Sequence, residues 1–207
     1  DVHLVDLGES YAVQVGSEKG ERLLEGCNSL WNATPEDAAR FHEVMAQKWA
    51  SFDYRLEFDI NELPALLGES AQSPVWDALG DICLACGACT KVCPNCYCFD
   101  VSDEVDLTLE NGVRVRTWDS CQIEKFAVVA GGHNFRSSRA NRQKHRFFRK
   151  GKYQVEAFGL PGCVGCGRCA DNCLVEITPT KTYNALFRLR AAAQNGQTLR
   201  VEEALQD

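Results

Sequence analysis

No run of about 18 uncharged apolar residues occurs in the 207 residues, so no helix of this chain is expected to cross a membrane. A basic segment leading into a short apolar one is also missing, so no signal peptide is visible and a cytoplasmic location is expected. The chain opens at Asp1, directly into the strand-like Val2-His3-Leu4-Val5, which suggests a processed or truncated chain. There is no Ser-His-Asp logic, no P-loop and no G-x-G-x-x-G, so no catalytic triad and no nucleotide or flavin site is expected here. Histidine is scarce: His3, His42, His133 and His145 stand singly, with no two at metal-ligand spacing.

Cysteine, by contrast, is abundant, with 12 in the chain. Eight fall into two copies of one pattern, C-x2-C-x2-C-x3-C. The first copy is Cys83, Cys86, Cys89 and Cys93, followed by Pro94; the second is Cys163, Cys166, Cys169 and Cys173, followed by Leu174 in place of proline. A cubane [4Fe–4S] cluster needs four thiolates, one per iron. Three come from a tight loop with two-residue gaps, and in two-cluster ferredoxins the last cysteine of each run serves the other cluster. One cluster is therefore expected on Cys83, Cys86, Cys89 and Cys173, and a second on Cys163, Cys166, Cys169 and Cys93. Gly87, Gly165 and Gly167 allow the sharp turns that bring N–H groups near the sulfurs. Zinc sites use cysteine pairs separated by longer loops, and disulfides repeated across two-residue gaps are crowded. Cys27, Cys96, Cys98 and Cys121 are left over; no ligand spacing among them supports a third metal site, and cysteine is often simply a small buried residue.

The fold class expected is α+β: a two-cluster ferredoxin-like core with a long insertion and an N-terminal α/β segment. Residues 1–75 form the N-terminal segment, 76–182 the dicluster domain with the insertion at 99–158, and 183–207 a helical tail. Near the start, a hairpin turns at Gly8-Glu9-Ser10, and Glu18–Leu24 reads as a short helix. Thr34, Pro35, Glu36 and Asp37 open a helix running to about Ala50. Asn61 is expected to cap a helix at residues 62–67, and Ser73-Pro74 to open another. Within the insertion, Val105, Leu107 and Leu109 alternate, Asn111-Gly112 is a turn signal, and Val113, Val115 and Thr117 alternate back. Phe126 to Ala130 reads as a short helix ended by Gly131-Gly132.

Charge is unevenly spread. Arg136 to Lys152 holds eight Lys or Arg and no acid, while the rest of the chain has 14 basic and 29 acidic residues. In a helix, Arg139, Arg142, Arg146 and Arg149 share one face. Three roles compete for it: a solvated face, a surface for an acidic partner subunit, or a source of positive charge that tunes the clusters. Nucleic acid is not expected as a partner, because the chain is acidic overall and shows no base-stacking platform.

Cys93-Pro94-Asn95-Cys96-Tyr97-Cys98-Phe99-Asp100-Val101, Trp118-Asp119-Ser120-Cys121 and Gly131-Gly132-His133-Asn134-Phe135-Arg136, taken with the two cysteine runs, resemble one family. It is that of the iron–sulfur β subunit of soluble, sulfhydrogenase-type NiFe hydrogenases, to which the A subunit of anaerobic sulfite reductase is similar. The resemblance is strong over residues 75–180 and looser before them. It implies a non-catalytic relay between a subunit that binds FAD and NAD(P) and a subunit holding the catalytic metal centre, of the NiFe or sirohaem type. A NAD(P)-linked hydrogenase is the leading expectation and a sulfite reductase or other flavin-linked reductase the alternative. A free-standing ferredoxin-type carrier and a structural zinc module are the rivals from other classes.

Overall fold

Asp6, Gly8 and Ser10 close the first hairpin of the computed structural model, which describes residues 1–206, Trp49 by its backbone alone. Strands β1 (Val2–Asp6) and β2 (Tyr11–Val15) pair antiparallel from Val2↔Val15 to Asp6↔Tyr11. Gly8 takes φ +103°, and its N–H donates to Asp6 Oδ1 over 2.8 Å. Helix α1 (Glu18–Leu24) is capped by Ser17. Helix α2 (Pro35–Ala50) begins with a full capping box: Thr34 Oγ1 accepts from Asp37 N–H over 3.2 Å, and Asp37 Oδ2 accepts from Thr34 N–H over 2.9 Å. These elements belong to one compact unit, Asp1–Arg55; a second begins at Leu56.

In the second unit, Asp59 rather than Asn61 is the capping residue. Its carboxylate accepts from Asn61 N–H over 2.9 Å and opens a single 3-10 turn, Ile60–Glu62, that leads into α3 (Leu63–Glu69). Helix α4 (Val75–Ile82) follows Ser73-Pro74 as expected and delivers Cys83 at its C-terminus. Short helices α5 (Ala88–Lys91) and α8 (Arg168–Asp171) carry the third cysteine of each run and pack against each other.

Strands β3 (Phe99–Val105) and β4 (Gly112–Trp118) pair from Phe99↔Trp118 to Val105↔Gly112. The hairpin is thus present, but Leu107 and Leu109 lie in its turn instead of in a strand. Asp106 explains the difference: its carboxylate accepts from Thr108 Oγ1, Glu110 N–H and Asn111 Nδ2, building a six-residue loop in place of a two-residue Asn-Gly turn. The expected helix at 126–130 is a 3-10 turn at Glu124–Ala127, because Val128 bridges to Asn134 and the glycines between them turn left-handed.

Helix α6 (Arg139–Phe148) passes through a π turn at Arg149–Tyr153 into α7 (Gln154–Phe158). Helix α9 (Pro179–Gln194) is capped by Thr178, and α10 (Val201–Ala204) packs back on it. The core joins α3, α4, α6 and α9 through Leu63, Leu66, Trp76, Leu79, Phe147 and Leu186. Trp76 packs on Phe147 and Phe148, and Phe147 meets Tyr183 edge-on. Truncating a buried aromatic such as Phe147 is expected to cost about 3–5 kcal/mol. At the α4–α6 crossing, a Cβ on Gly80 would lie 2.6 Å from Ala140 N, so only glycine permits that approach. The close crossing is what lays α6 against the first cysteine run.

Candidate iron–sulfur site

The two cysteine loops share a backbone shape. Gly87 (φ +77°) and Gly167 (φ +75°) each precede a short helix, and two residues earlier Ala85 (φ +53°) and Gly165 (φ +66°) are left-handed as well. Alanine in that region carries strain of roughly 1–2 kcal/mol. In return, Ala85 N–H donates to Cys83 Sγ over 3.3 Å. At the end of the second run, Ile177 N–H donates to Cys173 Sγ over 3.2 Å. Backbone donors thus face sulfurs of both runs.

Cys83, Cys86, Cys89 and Cys173 line one cavity, together with Gln143, Arg146 and apolar residues. Three residues of the first run and the last residue of the second therefore meet around one space. In the second group, Cys169 lies within electrostatic range of Cys163, Cys93 and Cys166. Cys89 in turn lies within range of Cys169 and Cys173, so the two groups adjoin.

Of the three roles open to the basic helix, the structure favours positive charge placed beside the cysteine loops. Two of its four stripe arginines are buried, Arg142 at 4% and Arg146 at 2% exposure, while Arg149 is half-buried and Arg139 exposed. The α4–α6 crossing and the aromatic core draw the helix inward, and its polar side chains serve the cysteine loops. Arg139 Nη1 donates to Cys83 O over 2.7 Å. Gln143 Nε2 donates to Cys83 Sγ over 2.8 Å. Lys150 Nζ donates to Cys93 Sγ over 3.3 Å and to Gly162 O over 2.9 Å. The π turn inserts an extra residue and keeps Lys150 buried beside Cys93. Arg142 is occupied by the carbonyls of Arg136 and Ser137.

Arg146 sits between the two groups; burial opposes its charge, but the electrostatic pull of Cys89 of one group and Cys169 of the other more than offsets this and raises its guanidinium pKa above its ordinary value. Its Nε and Nη1 find no hydrogen-bond partner in the protein. A buried guanidinium with unpaired donors, beside thiols around a cavity, is the chemistry that an anionic iron–sulfur cluster needs. Burial pushes the Cys89 and Cys169 thiols up, against the opposing pull of Arg146. Burial also opposes ionisation of Cys93, but Asn95 N–H and Lys150 more than offset it, and that thiol lies below its ordinary value. The residues present therefore fit two cubanes: four thiols at each, backbone donors to sulfur, and fixed cations. Among the described residues no three His, Cys, Asp or Glu side chains converge as ligands of a single ion.

Gln143 and Lys150 are the functional residues that sequence reasoning missed, whereas Arg146 was already named in the basic stripe. The spacing of three and four residues from Gln143 through Arg146 to Lys150 was the available signal, because it puts all three on one stripe. Of the leftover cysteines, Cys27 is exposed in the first unit. Cys96, Cys98 and Cys121 come together in the second. There a hydrogen bond from Cys121 lowers Cys98 to about 6 and raises Cys121 itself, while burial lifts Cys96 to about 11. Burial, with Arg136 nearby, lowers His145 to about 4.

Residues 82–177 match the family model of the 4Fe–4S dicluster domain. The chain is 37% identical over 185 residues to the sulfhydrogenase 2 subunit beta of Pyrococcus furiosus, a match covering 89% of this chain and 54% of that protein. The chain thus spans about half the length of the curated relative it matches. No solved structure matches it. No helix of the described residues is long and apolar enough to cross a membrane. The chain is a homologue of the sulfhydrogenase β subunit, and its residues 82–177 belong to the 4Fe–4S dicluster family.

Proposed function

We propose that this chain is an electron-relay subunit of a multi-subunit oxidoreductase, holding two [4Fe–4S] clusters in a ferredoxin-like core. The first is assigned to Cys83, Cys86, Cys89 and Cys173, the second to Cys163, Cys166, Cys169 and Cys93. The observation that supports the reading is the meeting of Cys173 with Cys83, Cys86 and Cys89 around one cavity, as expected if the two runs exchange fourth ligands. When bound, such clusters supply one-electron redox chemistry.

The chain's own residues set the conditions for that chemistry. The two loops hold the thiolates, and Gln143, Arg146 and Lys150 place donors and positive charge against them. Both effects stabilise the more negative, reduced form and raise the potential. The packed core formed by α4, α6 and α9 excludes water from one side.

The relationship to a hydrogenase β subunit favours a NAD(P)-linked NiFe hydrogenase as the assembly. A subunit that binds FAD and NAD(P) stands on one side of the relay and the NiFe subunit on the other. Anaerobic purification of the native complex tests this. The expected result is co-purification with a flavoprotein and a nickel-containing subunit, and reduction of this chain's clusters by NAD(P)H or hydrogen. A monomer that exchanges electrons alone would favour a free carrier instead.

A further inference from the structure

Three cysteines outside both runs meet in one place. Cys96 and Cys98 lie just beyond the first run, and Cys121 arrives after the β3–β4 hairpin. With His145, Arg149 and Lys150 they line one cavity, distinct from the space around Cys83, Cys86, Cys89 and Cys173. Cys98 and Cys121 are hydrogen-bonded to each other, and Cys96 to Cys93. Arg146 adds a third cation to the lining, which contains no carboxylate, although Asp119 stands within electrostatic range of Cys98. Three cations gathered around one partly buried space repel one another and are stabilised by an anionic occupant.

The character of that occupant follows from the donors. A disulfide would join two of the three cysteines and leave the third thiol and His145 in the cavity without a role. Among the described residues no three donors converge at single-ion spacing here, and the same holds for the eight cysteines of the two runs. The three thiols match the cluster cavity in donor type. We propose that Cys96, Cys98 and Cys121 hold a third iron–sulfur cluster, a [4Fe–4S] cubane, with His145 as the fourth protein donor. Imidazole ligation of cluster iron has precedent in Rieske centres. The three thiols give up their protons on binding. Lys150 touches Cys93 and also lines this cavity, so the third site abuts the second and extends the relay by one station.

The inference rests on reading the chain as an iron–sulfur protein, and the test separates the two. Iron and acid-labile sulfide are counted, with EPR after dithionite reduction, on the anaerobically purified native complex carrying wild type, Cys98→Ser/Cys121→Ser, Cys86→Ser or His145→Cys. The double variant is expected to lose about four irons and four sulfides per copy of the chain while keeping the signal that Cys86→Ser removes. His145→Cys keeps four donors, and is expected to retain its iron and change the EPR spectrum of one cluster only. Wild-type iron in the double variant, zinc lost in place of iron, or an unchanged His145→Cys spectrum would overturn the proposal. If Cys86→Ser costs no iron, the two-cubane reading fails by itself, whatever the double variant does.

Discussion

Gln143 Nε2 donates a hydrogen bond to Cys83 Sγ over 2.8 Å, from the middle of α6 to the first residue of the first cysteine run. Both residues are buried, so water does not replace the bond. Hydrogen bonds to cluster sulfurs help set the potential. Gln143→Leu is therefore expected to lower the potential of the cluster assigned to Cys83, on the order of 50 mV for a one-electron couple and a bond contributing about 1 kcal/mol. An EPR-monitored redox titration checks this: one midpoint moves down and the other stays.

Arg146 reaches both groups, and its substitution should show it. Arg146→Gln removes the positive charge between Cys89 and Cys169. Both cluster potentials are expected to fall together, on the order of 100 mV. A shift at one cluster alone would contradict the placement of Arg146 between the two.

Gly80 is a structural hinge point of the same argument. A Cβ there meets Ala140 N at 2.6 Å and Ala140 Cα at 2.9 Å, both backbone atoms. Gly80→Ala is expected to destabilise the second unit by about 1–3 kcal/mol through overpacking. Thermal unfolding of the iron-loaded protein measures it. Because the displaced helix carries Gln143, iron retention on dilution should fall as well.

In the first unit, Thr34→Ala removes the α2 cap and is expected to cost about 1 kcal/mol. Amide exchange in the first turn of α2 should quicken. The Thr34 backbone N–H and hydroxyl hold Asp37 below the usual carboxylate range. A folded-state pKa below the unfolded one means that this contribution is complete above the unfolded value and is lost as pH falls through the folded one. The α2 amides of wild type should lose protection in acid, and those of Thr34→Ala should lose less.

How much was legible in the sequence depended on whether the signal was local. Thr34 with Asp37, Gly8 in its turn and the two cysteine runs act within a few residues, and the elements form where those signals stand. The Asn111-Gly112 signal misplaced the hairpin turn because the Asp106 side chain reached across the loop and satisfied its donors first. The basic stripe was legible as a stripe but not as a buried one. Burying Arg142 and Arg146 depends on contacts made far along the chain: Gly80 admitting Ala140, and carbonyls and thiols waiting for the guanidiniums. The convergence of Cys96, Cys98 and Cys121 was hidden for the same reason. The β3–β4 hairpin separates Cys98 from Cys121 in sequence and returns them to one cavity in space.

EPR of dithionite-reduced single variants in the native complex decides whether the two runs exchange fourth ligands. Cys173→Ser is expected to alter the same cluster signal as Cys86→Ser, and Cys93→Ser the same signal as Cys166→Ser. If Cys173→Ser instead alters the signal lost in Cys166→Ser, each run holds its own cluster and the account of the site is wrong.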